Sequence, residues 1–291
     1  MSLVEQAIAR MRNQTGLKRV APEPKPLSTP VPVLEDDLES TASMQRMAID
    51  MPALRAAGYL PEESKDRQFA DHYRRIKRTL IDNALSGRGN GEARVIMVTS
   101  ALPGDGKTFS CINLALSMAL ERDISVLLVD CDVAKRHISQ IMGLKGELGL
   151  LDSLSDDSLD VESLVLKTDL RGLSILPAGN RVESPAELLS SKRMRQLVRN
   201  LCDRSPRRIL LLDSPPLLIT NEGRTLVKIA GQIVLVVRAG HTPRPAVQEA
   251  VALFDPQQAG GVILNEVAMS SDEGYYGYGN YGAYGDNGSD V

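Results

Sequence analysis

From residue 94 onward the chain alternates short, almost wholly apolar runs with longer stretches whose apolar residues recur every three or four positions. The apolar runs are RVIMVTS (94–100), ISVLLVD (124–130), LSILPA (173–178), RILLLD (208–213), QIVLVVRA (232–239) and GVILN (261–265). Each is near-continuous in Val, Ile and Leu, the pattern of a strand buried on both faces. Between them CINLALSMALE, AELLSSKRMRQLVRNLC and PAVQEAVALF read as helical stretches. Strands that need cover on both sides, joined through helices, predict an α/β fold with a mainly parallel sheet flanked by helices. That domain is expected over residues 65–265, with a polar helix at roughly 65–84 ahead of the first strand.

The ends have a different texture. Leu3, Val4, Ala7, Ile8 and Met11 fall on one helical face, so residues 2–13 can form a short amphipathic helix, either a docking peptide for a partner or a frayed terminus. The prolines of APEPKPLSTPVPVLEDDLES block both helix and ladder, which makes residues 14 to about 60 an extended tether and residues 1–64 an N-terminal helix with a disordered linker. Residues 266–291 are polar, rich in Gly and Tyr, and contain no Lys or Arg; a disordered tail is expected there. Five of the seven tyrosines lie in that segment, in a chain without Trp and with three Phe.

Composition narrows the function classes. A net charge of −3 gives no general attraction to nucleic acid or anionic lipid, so no nucleic-acid partner is expected. Cys111, Cys131 and Cys202 show no CxxC spacing and read as buried thiols of a reducing compartment. No run approaches the roughly 18 apolar residues of a membrane span, and the first residues lack the apolar centre of a signal peptide; a cytoplasmic protein is expected.

ALPGDGKT, residues 101–108, fits a phosphate loop with Ala101 where the first glycine usually stands. Gly104 and Gly106 let the backbone approach a phosphate, Lys107 can reach the β and γ phosphates, and Thr108 offers a hydroxyl to Mg²⁺. Asp105 and Phe109 complete the expected nucleotide-binding stretch. An apolar strand feeds the loop and a helix begins near Gly106, so the helix dipole points at the anion and a P-loop NTPase fold follows. Two strand ends carry acids: Asp213 in LLLDSPP, where a Walker B carboxylate would stand, and Asp130 and Asp132 in LLVDCDVAKRH. In an open parallel sheet those ends face the ligand crevice.

With PGDGKT, VDCDVAKR and LLLDSPP in order, the chain resembles the bacterial tyrosine kinases, cytoplasmic autokinases of polysaccharide polymerisation and export, of the separate-chain (CpsD/CapB-like) kind. SPAELLSSKRM (184–194), DHYRRIKR (71–78) and the tyrosine cluster add to the resemblance, which covers about residues 65–291. The opening SLVEQAIARMR is similar to the start of members tied to exosortase-linked exopolysaccharide loci. The resemblance implies ATP and Mg²⁺; phosphoryl-transfer chemistry then assigns Lys107, Asp130, Asp132 and Asp213 as catalytic, Thr108, Asp132 and Asp213 to the metal and Asp130 to the tyrosine proton, while Asn265 resembles a position near adenine in related ATPases. It makes Tyr275, Tyr276, Tyr278, Tyr281 and Tyr284 the phosphate acceptors, phosphorylated in trans within a ring-like homo-oligomer. The family's interface motif stands here as Asp71, Arg74 and Lys77. Where the family's second segment carries an arginine this chain has Ala134, followed by Lys135 and Arg136. Further implications are a transmembrane co-polymerase or activator that recruits the chain to the inner face of the membrane, and a cognate tyrosine phosphatase.

The competing expectation is a partitioning or division-positioning switch ATPase (ParA/MinD-like) of the same broad fold. Such proteins carry a second lysine early in the loop, where this chain has Leu102, and they lack a tyrosine tail. A nucleotide-binding adaptor without catalysis is the third.

Overall fold

A computed structural model describes residues 46–86 and 92–267. Seven strands, β1 (Val95–Ser100), β2 (Ser125–Asp130), β3 (Leu166–Lys167), β4 (Leu173–Leu176), β5 (Arg208–Asp213), β6 (Gln232–Arg238) and β7 (Ala259–Asn265), form one sheet in the order β3-β4-β2-β5-β1-β6-β7. Every neighbouring pair is parallel except β3 with β4. The two-residue antiparallel edge β3 has no apolar run to announce it in the sequence. The helices are α1 (Met51–Ala56), α2 (Asp66–Leu85), α3 (Lys107–Ala119), α4 (His137–Ile141), α5 (Leu150–Ser155), α6 (Pro185–Ser190), α7 (Lys192–Asp203), α8 (Asn221–Val227) and α9 (Arg244–Val251).

The apolar strands are buried on both sides because successive side chains alternate between two cores. Met97, Leu127, Leu210, Leu212 and Leu235 face one core with α5, α6 and α7. Ile96, Val98, Leu128, Leu211 and Val236 face the other with α2 and α3. Among the described residues no helix is long and apolar enough to cross a membrane.

Two local expectations are corrected. The tether expected to run to about residue 60 is already packed by residue 47, where Met47 N donates to Lys167 O at 2.9 Å. Asp50 caps α1 by accepting from Ala53 N at 2.8 Å, and Ile49, Leu54 and Leu60 enter the α2/α3 core. Three apolar residues spaced among polar ones show no run or period beside the prolines, yet burying Leu54 alone stabilises by roughly 1.5–3 kcal/mol. The Arg55 guanidinium then fixes α1 to α2 by bonds of 2.8 and 2.9 Å to the Asp66 carboxylate. The stretch AELLSSKRMRQLVRNLC is two helices, not one, because Ser191 takes φ −67° and ψ 160° and its side chain accepts from Met194 N. A serine at that place stops α6 and caps α7. The expected helix at residues 2–13 and the tyrosine segment lie outside the described residues.

Candidate nucleotide site

The phosphate loop joins β1 to α3, so the backbone turns from a buried strand end into a helix N-terminus. Gly104 and Gly106 take φ 87° and 91°, left-handed values that disfavour any side chain. The turn is braced from outside. Asp105 is buried, and its carboxylate accepts from Thr242 Oγ1 at 2.7 Å and from Leu102 N at 3.3 Å. Asn265, at the end of β7, donates from Nδ2 to Asp105 O at 3.0 Å. A Cβ on Gly106 would overlap that same Nδ2, so a side chain there would displace Asn265 from the loop.

The acids meet the loop because β5 pairs with β1 and β2 pairs with β5, so both strands end beside it. Asp130 and Asp213 are cross-strand partners at the carboxyl ends of β2 and β5, and Val98 of β1 is level with Asp213. Thr108 Oγ1 donates to Asp213 Oδ2 at 2.9 Å. Lys107 Nζ lies 2.8 Å from Asp132 Oδ2. Asp130 Oδ2 receives Ser139 N at 2.8 Å and Ser139 Oγ at 2.7 Å. The structure therefore brings Lys107, Thr108, Asp130, Asp132 and Asp213 into one buried cluster.

One ammonium faces three carboxylates, and the electrostatics reflect that imbalance. Burial, reinforced by the neighbouring Asp130 carboxylate, pushes Asp213 up to about 8 against the pull of Lys107. Asp130 is pushed up to about 6, again chiefly by burial, with the Ser139 bonds opposing. Burial works against the Lys107 ammonium, but Asp213 and Asp132 outweigh it and hold the group above its ordinary value. Asp130 Oδ1 and Asp213 Oδ1 are buried without a hydrogen-bond partner. Orphaned carboxylate oxygens in a cluster short of positive charge fit a hard divalent cation. No group of three or more His, Cys, Asp or Glu among the described residues forms a closed metal cage. Mg²⁺ at a nucleotide needs none, since one or two carboxylates, a hydroxyl, water and phosphate oxygens suffice.

Other expected residues are placed differently. Phe109 packs edge-on to Phe69 with ring centroids 6.0 Å apart, linking α3 to α2. The Asp105 side chain serves the loop's own shape, so any part it has in holding a nucleotide falls to its backbone. Lys77, expected on an oligomer interface, is turned inward: it is buried, donates to Ser117 O at 2.6 Å and pairs with Glu121 at 2.7 Å. Asp71 and Arg74 are exposed and pair with each other at 2.7 Å. Lys77 is thus not on the exposed face that Asp71 and Arg74 share, because the i, i+3, i+6 spacing rotates the third position towards α3.

Several site residues escaped the sequence reading. Ser139 and Thr242 have no local motif to mark them. His137, the first residue of α4, is held below its ordinary value by burial and by Lys107. The Tyr59 phenol is held above its ordinary value by burial and by Asp213, and Tyr59 O accepts from Asn113 Nδ2 of α3 at 2.8 Å.

Comparison with known proteins agrees with this geometry. A family model described as an AAA domain matches residues 93–243. Tyrosine-protein kinase YwqD of Bacillus subtilis is 32% identical over 212 residues, covering 72% of this chain and 86% of that protein. Tyrosine-protein kinase wzc of Salmonella typhimurium is 31% identical over 190 residues, 63% of this chain; the match spans only 26% of the Salmonella protein's length. Among solved structures the VpsO kinase domain is 31% identical, with a TM-score of 0.57, covering 71% of this chain and all of that one.

Proposed function

The chain belongs to the bacterial tyrosine kinase family, and from that premise we propose that it transfers the γ-phosphoryl group of ATP to tyrosines of its own C-terminal segment, from one copy to another. The observation that carries the reading is the convergence of Lys107, Thr108, Asp130, Asp132 and Asp213 on one phosphate loop. Phosphoryl transfer needs little covalent help from protein; it needs positioning and neutralised charge.

In this reading the loop amides and Lys107 hold the phosphates, and Lys107 exchanges Asp132 for phosphate oxygens. Thr108, Asp132 and Asp213 are then the groups that would hold Mg²⁺, whose charge offsets that of the phosphates when bound. A tyrosine Oη forms the new bond to the γ phosphorus, the bond to the β–γ bridging oxygen breaks, and ADP leaves. The phenol proton passes to Asp130, whose Oδ1 is free while Ser139 holds Oδ2. A carboxyl near 6 suits that task at neutral pH better than an ordinary one. Asn265 acts through the loop, by fixing Asp105 O beside Gly106.

The acceptors are Tyr275, Tyr276, Tyr278, Tyr281 and Tyr284, separated by glycines. The reading extends to a homo-oligomer, to a cytoplasmic place at the inner membrane face beside a transmembrane activator, to control of exopolysaccharide polymerisation and export, and to reversal by a phosphatase. Each phosphotyrosine adds close to two negative charges to an acidic segment, so phosphorylation should loosen packed copies.

The test is intact-mass and peptide mass spectrometry after incubation with ATP and Mg²⁺, beside Lys107→Met. Phosphate on the tyrosine segment of the native chain and none on the variant is expected. ADP release with no phosphate added, even with the activator's cytoplasmic segment present, would overturn the proposal in favour of a switch ATPase.

A further inference from the structure

Resting on that reading, we propose that Arg136 and Arg181 form a recognition rim that selects acidic, tyrosine-bearing peptide, and that its occupant is the 268–291 segment of a second copy. Arg136 is held unusually. Its φ of 52° is left-handed, a conformation that disfavours an L side chain, and the turn is fixed by its N–H donating to Asp132 O at 2.6 Å. Nε donates to Val133 O at 3.2 Å, while Nη2 is buried with no hydrogen-bond partner. A buried donor without an acceptor destabilises the free protein and is relieved by whatever supplies one.

Arg181 is exposed and makes no ion pair among the described residues. The loop that carries it runs beside the Arg136 turn, because Ala178 N donates to Ser139 Oγ of α4 at 3.0 Å; after burial, the Arg181 charge helps hold Arg136 below its ordinary value. Asp130 and Asp152 pull in the opposite sense and do not cancel the effect. Lys135, also exposed, adds a third cation at the same turn. Elsewhere on the molecule Arg55, Arg208 and Arg238 meet Asp66, Glu162 and Glu266 within 2.9 Å. Two arginines that repel each other beside the reacting acids are complementary to an anion.

Charge decides which anion. Residues 266–291 hold Glu266, Asp272, Glu273, Asp286 and Asp290 and no Lys or Arg, and the tyrosines lie between the two acidic groups. The Arg136 turn borders the acids, since Arg136 N is bonded to Asp132 O and Ser139, three residues on, is bonded to Asp130. A Glu273 seated on Arg136 would leave Tyr275 about 7 Å further along an extended chain. The guanidinium fork suits a peptide carboxylate.

The experiment uses the full chain and fluorescein-labelled peptides of residues 268–291. One has the native sequence; a second has Asp272, Glu273, Asp286 and Asp290 neutralised to Asn or Gln. Anisotropy without nucleotide should give about three- to tenfold tighter binding of the native peptide, fading as salt rises. Arg181→Glu, a change on the exposed surface, should abolish that preference, and a peptide with lysine at 272 and 273 should regain affinity for it. Arg136→Gln should raise KM for the peptide more than it lowers kcat. Equal binding of both peptides to the native chain, an unchanged preference in Arg181→Glu, or loss of ATP affinity in place of peptide affinity would each overturn the rim. If the rim binds as expected but ATP yields no phosphotyrosine, the kinase reading fails and the rim stands.

Discussion

Replacing Gly106 and Gly104 by alanine, separately, tests how the phosphate loop is held. Both glycines are left-handed, so a Cβ costs about 1–2 kcal/mol at either position from backbone strain alone. Their surroundings differ. Nothing lies within 4 Å of a Cβ at Gly104, whereas at Gly106 it would overlap Asn265 Nδ2 and stand 3.2 Å from Asn265 Cγ. The Asn265 side chain can rotate away, but then its 3.0 Å bond to Asp105 O is lost, about 1 kcal/mol more. Gly106→Ala should therefore be less stable than Gly104→Ala by about 1 kcal/mol. Urea denaturation reads that as a midpoint difference of about 0.3–1 M. In an Asn265→Ala background the contact is already gone, and the two alanine variants should become equally stable, a coupling that the double-mutant cycle measures directly. Equal midpoints in the native background, or a difference that survives Asn265→Ala, would refute the account of Asn265 as the brace of the loop.

Other consequences follow from the same contacts. Because Asp213 keeps its proton up to about 8 in the fold but releases it near 3.8 when unfolded, its contribution to stability is whole below about pH 4 and is lost as pH rises to about 8. The nucleotide- and metal-free chain should melt at progressively lower temperature across that window, and Asp213→Asn should flatten the profile; a parallel slope in the variant would contradict the assignment. Ser139→Ala removes the donor at 2.7 Å to Asp130 and the acceptor at 3.0 Å for Ala178 N, and should cost about 1–3 kcal/mol in denaturant titration. Lys77→Ala should destabilise by about 1–3 kcal/mol because it leaves Ser117 O without its donor, whereas Arg74→Ala, breaking an exposed pair, should change stability by less than about 1 kcal/mol.

Six of the strands and the phosphate loop were legible because each is a local pattern. A continuous apolar run specifies burial on both faces, and Gly104, Gly106, Lys107 and Thr108 carry their chemistry within one turn. The acids Asp130, Asp132 and Asp213 were legible for the same reason, as polar residues ending apolar strands. The segment around helix α1 was not, since its three core residues, Ile49, Leu54 and Leu60, are scattered among polar ones and gain meaning only against α2 and α3.

By itself, then, the sequence determined the class of sheet, the loop that meets phosphate and the identity of the charged groups near it. Only the tertiary structure decided how those groups are employed. It joined Asp105 to Thr242, 137 positions away, and to Asn265, 160 positions away; it set Asp130 level with Asp213, sealed it with Ser139 and turned Lys77 into the fold. The physical reason is that hydrophobic periodicity states which face of an element is buried. Partners are chosen by strand order and by the last fraction of a turn in each helix, and no local stretch of chain carries that information.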